Sequence, residues 1–295
     1  MPSQTSTAKI LVTGANGQLA NELKTIAPGY PGYQFFFTTK QELAIENTEA
    51  VKSFFAKNKI DYCINCAAYT AVDKAETESE KAFLINAEAV GNLAAICNIH
   101  KTKFIHISTD YVYDGSSNIP LNEEGKTGPL NVYGASKLRG EQLALEKNAS
   151  ALIIRTSWVY SSFGNNFVKT MLRLFKEKEE INVVADQYGC PTYAGDLAKI
   201  IMIFVQRMQE GKTFNGIFNY SNEGTTNWFE FAAEINSFVN SNCIINPIPT
   251  SSYKTPAKRP LYSVLDTTKI KETLQISITV WKESLKKCLQ VLNVL

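Results

Sequence analysis

An α/β fold is predicted here: a doubly wound parallel sheet covered by helices on both faces, with a smaller C-terminal domain. Three observations predict it. Short apolar runs alternate with amphipathic stretches through the first half of the chain. The runs are apolar almost throughout, as strands buried on both faces must be. A glycine-rich turn stands directly after the first run and before a helical pattern.

Residues 9–13 read as the first buried strand and 18–26 as the first helix. Residues 34–38 give a second strand, 50–58 a helix and 61–66 a third strand. Residues 78–99 read as one long helix, because Phe83, Asn86, Ala87, Val90 and Leu93 recur at helical spacing. A fourth strand (104–108), a helix (131–147) and a fifth strand (151–155) complete the alternation. The second half is less regular. Residues 167–178, 194–209, 226–240 and 280–295 read as helices, 216–219 as a strand, and proline-rich turns follow Asn246.

A chain of 295 residues with 44% hydrophobic and 20% charged residues can build a core of normal size. With 30 basic and 28 acidic residues the net charge is +2, which gives no reason to expect nucleic acid or an anionic membrane as partner. The apolar stretch at 200–205 is far shorter than the roughly 20 residues of a membrane span. Residues 1–9 are polar, lack the apolar centre of a signal peptide and read as a loose tail. Six scattered cysteines, mostly in apolar contexts, fit reduced thiols and a cytoplasmic location.

Cys63 and Cys66 have the spacing of a redox or metal pair. They fall on an expected strand, not at the helix N-terminus that activates a thiol. Residues three apart on a strand face opposite sides. The chain has only two histidines to complete a zinc site. Packing is therefore the expected role of the pair.

In the glycine turn, Gly14 would allow a tight turn and Gly17 would let backbone approach a pyrophosphate. Ala20 is small enough for the helix to pack close to the sheet. The helix N-terminus supplies N–H groups and a positive dipole end for phosphates. A plain structural turn is the alternative. The context of a dinucleotide-binding turn, strand before and helix after, is met. The fold expected is thus Rossmann-like. Residues 1–160 should form mainly an NAD(P)-binding domain, and 161–295 mainly a substrate-binding cap interleaved with it. The acid that usually meets the cofactor ribose about 20 residues further on is missing from the end of the second strand. Thr39 and Lys40 stand there and could accept a 2′-phosphate, although Lys40 also suits a solvated loop. This leans toward NADPH, or use of both NADPH and NADH.

Tyr133 and Lys137 lie four apart on an expected helix and so share a face. An ammonium near a phenol favours phenolate and lowers a pKa that starts near 10. Tyr133 then becomes a proton donor, although a surface pair at this spacing is common. Ser108-Thr109-Asp110 ends the fourth strand, where ligands of open parallel sheets bind. A hydroxyl there can meet a substrate carbonyl, or simply cap the strand. Ala67 and Ala68 follow the third strand and leave room for a cofactor or for a packed helix.

Taken together, Gly14-x-x-Gly17-x-x-Ala20, Asn65-x-Ala-Ala, Ser108-Thr109-Asp110 and Tyr133-x-x-x-Lys137 resemble the extended short-chain dehydrogenase/reductase family. Residues 70–76, 131–134, 155–160, 164–167, 186–192 and 256–260 narrow the resemblance to the dTDP-4-dehydrorhamnose reductases. The resemblance implies reduction of dTDP-4-dehydro-β-L-rhamnose at C4. It implies Tyr133 as proton donor and Lys137 as the group that binds nicotinamide ribose and lowers the tyrosine pKa. Thr109 would polarise the ketone and, with Asp110, contact the sugar. Asn16, Gly17, Gln18 and Leu19 would line the pyrophosphate, and Ala68, Tyr69 and Thr70 would flank adenosine and ribose. Trp158 would face substrate, with Asn166 and Arg259 as contacts for the diphosphate-sugar.

Three departures matter. Thr39 and Ala44 stand where many members carry acids near the ribose, so the choice between NADPH and NADH stays open. Members can form a magnesium-linked dimer through glutamates. Glu22 is retained, but Gly195 stands where another glutamate would align, so no structural metal is expected. Monomer and homodimer both stay open. Two rival readings remain at this stage: a sugar-nucleotide epimerase or dehydratase that retains NAD, and a regulatory subunit of the same fold without catalysis.

Overall fold

The structure is a computed structural model that describes residues 7–295. Most of the tail expected at 1–9 lies outside the described residues, and the first strand, β1 (Ala8–Thr13), already begins inside it. In chain order there follow α1 (Gln18–Ile26), β2 (Tyr33–Thr38), α2 (Thr48–Lys57) and β3 (Tyr62–Asn65). Then come α3 (Val72–Ala75), α4 (Ser79–Phe83), α5 (Ala89–Ile99), β4 (Lys103–Thr109), α6 (Val132–Lys147) and β5 (Leu152–Thr156). The second half holds β6 (Val159–Tyr160), α7 (Phe167–Glu177), β7 (Glu180–Val184), β8 (Tyr188–Gly189), β9 (Thr192–Tyr193) and α8 (Ala194–Gln209). It continues with β10 (Gly216–Asn219), β11 (Thr226–Asn227), α9 (Trp228–Val239), β12 (Ile244–Ile248), α10 (Thr268–Leu274) and α11 (Trp281–Val291).

Six strands form one sheet in the order β10-β5-β4-β3-β1-β2, and every neighbouring pair is parallel. The strand order reverses between β1 and β3. A crevice opens at the carboxyl ends of the strands at such a point. Strand alternation sends side chains to both faces. Ile10, Val12, Ile64, Ile105 and Ile154 pack under α1, α8 and α10. Leu11, Cys63, Phe104 and Ile153 pack under α2, α5 and α6. Each fully buried side chain of this kind contributes about 1.5–3 kcal/mol, which is why these short runs fold as interior strands. Cys63 is therefore a core residue.

A third core lies in the second half of the chain, where Val168 and Met171 of α7 meet Phe231 and Ile235 of α9 and Leu285 and Leu289 of α11. The chain returns to the sheet after this core begins. α8 packs on α1, and β10 extends the sheet beside β5. Asparagines start α2, α6, α7 and α9: Asn47, Asn131, Asn166 and Asn227 each accept a first-turn N–H. This side-chain acceptor explains those boundaries.

Two differences from the sequence reading have physical causes. The single helix expected over 78–99 is interrupted by a π-helical turn, Leu84–Glu88. The wide turn aims Asn86 inward, where it binds both backbone groups of Tyr69 and the Ser136 hydroxyl. Ser79–Ile99 as a whole is also the one helical stretch among the described residues long and apolar enough to cross a membrane, yet more than half of it is buried inside the fold. Second, β7 and β12 form a parallel pair that proline-rich turns had hidden. Pro247 has no N–H to give a ladder and is tolerated because this sheet has only two strands, both of them edges.

Candidate active site

A cavity of about 730 Å³ opens at the carboxyl ends of β1, β3, β4 and β5. Its floor begins at the glycine turn. Gly14 has φ +69°, and a Cβ there would lie 2.7 Å from the Ala67 nitrogen, so only glycine fits. The Gly17 N–H donates to Gly14 O at 2.8 Å, and Gly17 enters α1 in an extended conformation without a side-chain cap. The first-turn N–H groups of α1 are thus presented to the cavity from a positive helix end. Gly14, Asn16, Gly17, Gln18 and Leu19 all line it. This surface fits a diphosphate.

Ala67, Ala68 and Thr70 line the wall beyond β3, whereas Tyr69 is buried against the helix side. The Tyr69 N–H donates to Asn86 Oδ1 at 2.8 Å. Beyond β2 the wall is formed by Lys40, Gln41, Ala44 and Glu46. Thr39 is not on it: its hydroxyl and N–H donate to the Glu42 carboxylate at 2.9 and 2.8 Å. Lys40 pairs with Glu46 at 2.5 Å. Glu46 is an acid that the sequence reading missed at this end, because it reaches back from eight residues past the strand.

The chemical end of the cavity is built by β4 and α6. Thr109 Oγ donates to Asp110 Oδ1 at 3.0 Å and accepts the Tyr111 N–H at 3.2 Å. Asp110 is 2% exposed and its second oxygen, Oδ2, has no partner among the described residues. Burial pushes this carboxyl up to about 6, and the nearby Ser263 and Thr109 hydroxyls oppose this. Asp110 lines the cavity, and a buried acceptor left without a partner is costly.

Tyr133 and Lys137 line the same cavity from α6. Burial pushes the Tyr133 phenol up to about 12; the neighbouring Thr109 hydroxyl opposes this and Asp110 adds to it. Burial pushes the Lys137 amine down to about 8, against Glu141 and Cys66. Lys137 Nζ donates to Ile107 O at 2.6 Å and lies 3.2 Å from His106 Nε2. Lys137 is not among the groups that shift the Tyr133 phenol. The amine is drawn to the strand, and desolvation governs the phenol.

One turn beyond, Glu141 anchors the helix. It accepts from Arg155 Nη2 at 2.7 Å and from Ser108 Oγ at 2.5 Å, all buried. Tyr113 Oη accepts a further Arg155 N–H at 2.8 Å. The network ties β4, β5 and α6 together beneath the site.

On the far side, Trp158 lines the cavity at φ +48° and stacks on Trp228 at 3.6 Å. A non-glycine residue held in this region stores strain, which is commonest at functional sites. The structure does not bring Asn166 or Arg259 to the wall. Asn166 Oδ1 caps α7, and its amide donates to Gln18 Oε1 at 2.9 Å and Ser161 O at 2.7 Å. Gly164 and Asn165 line the cavity in its place. Arg259 donates to both oxygens of Asp73, at 3.1 and 2.9 Å. Cys66, expected only to pack, also lines the cavity, and burial pushes its thiol up, so it is not an activated nucleophile.

Among the described residues no three His, Cys, Asp or Glu side chains gather as metal ligands. Glu22 is buried and accepts from Ser161 Oγ at 2.7 Å. A Cβ at Gly195 would lie 2.6 Å from the Tyr193 ring, so a side chain there would require that ring to move.

Sequence similarity runs through this whole arrangement: the RmlD substrate binding domain family matches residues 8–294. The chain belongs to this family. Among curated members, it is 39% identical over 286 residues to a dTDP-4-dehydrorhamnose reductase of Aggregatibacter actinomycetemcomitans, covering 95% of this chain and 97% of that one. Its fold is that of solved relatives. A dTDP-4-dehydrorhamnose reductase of Clostridium acetobutylicum superposes with a TM-score of 0.91 at 40% identity, covering 97% of this chain and 99% of that one. The Bacillus anthracis enzyme of the same name, in complex with NADP, gives 0.91 at 37% identity with the same coverage. The RmlD-family fold seen here is thus the Rossmann-like α/β class expected from sequence.

Proposed function

We propose that this chain reduces dTDP-4-dehydro-β-L-rhamnose at C4 to dTDP-L-rhamnose, with NADPH or NADH as reductant. The observation that carries this reading is the convergence of Tyr133, Thr109 and Asp110 at one end of a cavity whose other end is the α1 N-terminus. Relatives similar over nearly their full length carry the name of that activity.

The bound nicotinamide supplies the hydride. The chain's own groups do the rest. The α1 N-terminus, with Gly14, Asn16, Gly17, Gln18 and Leu19, holds the cofactor diphosphate. Ala67, Ala68 and Thr70 leave room for its adenosine side. Thr109 Oγ, turning its proton away from Asp110, donates to the C4 ketone oxygen, and the Asp110 carboxylate accepts a sugar hydroxyl. Tyr133 Oη donates the proton. A phenol at about 12 keeps its proton at neutral pH, yet an alkoxide is a stronger base than a phenolate, so transfer to the reduced C4 oxygen runs downhill. Lys137, on the same face, holds ribose hydroxyls and offers positive charge to the phenolate that forms. Trp158 and Asn165 face the sugar from the cap.

The same reading makes residues 1–160 mainly the cofactor domain and 161–295 mainly the substrate cap. It places the enzyme in the cytoplasm, where its six unpaired cysteines stay reduced. The experiment is oxidation of NADPH and of NADH by the purified chain with dTDP-4-dehydro-β-L-rhamnose. Substrate-dependent oxidation of at least one supports the reading. Oxidation of neither, with a folded protein, rejects it.

A further inference from the structure

Beneath the cavity a row of buried polar side chains crosses three strands. Lys137 Nζ lies 3.2 Å from His106 Nε2 on β4. His106 Nδ1 lies 3.0 Å from the Asn65 amide nitrogen on β3. Thr13 Oγ on β1 donates to Asn65 Oδ1 at 2.6 Å. His106, Asn65 and Thr13 are all fully buried, so each must find its partner within the row. Strand order makes the row, since Thr13 and Asn65, and Asn65 and His106, are register partners.

We propose that His106 is a positioning residue that holds the Lys137 amine and reverses the polarity of this row when Lys137 changes charge. A neutral imidazole carries one proton and offers one acceptor. Beside an ammonium, Nε2 must accept, so Nδ1–H donates and Asn65 turns its oxygen toward the ring. Beside a neutral amine, Nε2–H donates, Nδ1 accepts from the Asn65 amide, and Thr13 donates to Asn65 Oδ1. The second arrangement is the one whose atoms the structure records. An amide accommodates both by rotation. Between the two, the ring proton changes nitrogen and the pair releases one proton to the cavity.

Burial and Lys137 together hold His106 well below the ordinary imidazole range, so the ring stays neutral while the amine titrates. The other groups facing Lys137 are Tyr133 and Glu141 on α6 and Cys66 after β3. Glu141 is fixed by Arg155 and Ser108, and burial keeps Cys66 protonated, so neither supplies an alternative acceptor that moves. The inference rests on the reading of Lys137 as the site amine only for its effect on turnover.

The test uses the free protein, so it stands apart from the substrate assignment. The chain has two histidines, His100 and His106, and His100→Gln assigns the signals. Ring ¹⁵N shifts of His106 are followed from about pH 6 to about pH 10. The expected result is a change from Nδ1–H to Nε2–H without an imidazolium stage, abolished in Lys137→Met. A single tautomer throughout, an ordinary imidazolium titration, or a switch that survives Lys137→Met overturns the proposal. In turnover, His106→Leu removes one of the two acceptors of the amine, leaving Ile107 O, and should move the alkaline limb of kcat down by about one pH unit, with His106→Gln restoring it. An unmoved limb in a folded Leu variant also overturns it.

Discussion

Lys137 and Tyr133 face one cavity from the same turn of α6, yet they are held by different strand groups. Lys137 Nζ donates to Ile107 O at 2.6 Å, while the phenol has Thr109 beside it. The amine is thus held to the sheet, and the phenol stays a phenol. Four consequences can be measured.

Tyr133→Phe removes the donor and little else. Turnover should fall by about 10²–10⁴, the range for a lost general acid, while NADPH affinity stays within a few-fold. Steady-state kinetics and a direct binding titration read the two separately.

Lys137→Met should separate stability from activity. The folded pKa is lowered to about 8 from the ordinary 10.5. The unfolded chain therefore binds more protons between those values, and stability rises with pH through that window. Below it, folding carries the cost of a buried charge. The variant should be more stable near neutral pH by about 1–3 kcal/mol in urea unfolding and nearly inactive.

Asp110 acts in the opposite protonation sense. Its folded pKa is raised to about 6 from 3.8. Its contribution is fully present below the unfolded value and is lost as pH rises through the folded one. Parent stability should fall by about 1–3 kcal/mol from this group between roughly pH 4 and pH 7. Asp110→Asn should flatten that slope and weaken binding of the sugar nucleotide, as read by calorimetry.

Glu141→Ala leaves Arg155 charged and buried without its carboxylate. Breaking a buried pair from one side costs about 3–5 kcal/mol. Denaturant unfolding should show a loss in that range. A loss below about 1 kcal/mol would mean that Tyr113 and solvent replace the carboxylate.

Much of this was legible in the sequence because it is local. Residues 194–209 and 216–219 carry their period in their own side chains, and they form α8 and β10 with those bounds. Gly14 betrays its turn because no other residue tolerates both its φ and its neighbour Ala67. What escaped depends on distant partners. β7 finds β12 across more than 60 residues of chain, and Pro247 disguises the second strand. Asn166 and Arg259 look like free ligand groups until a helix start and Asp73 are seen to occupy them. Glu46 and His106 show no motif, since their roles arise only when the chain folds Glu46 back to Lys40 and sets β4 beside β3.

The central claim is hydride delivery to C4 of the sugar with the proton supplied by Tyr133. The most direct measurement is the fate of deuterium from NADPH labelled at its transferable position, followed by NMR of the product formed from dTDP-4-dehydro-β-L-rhamnose. The account predicts one deuterium on C4 in the parent, and no labelled product above background on the same timescale with Tyr133→Phe. Deuterium at another carbon, or parent-level labelling by Tyr133→Phe, would contradict it.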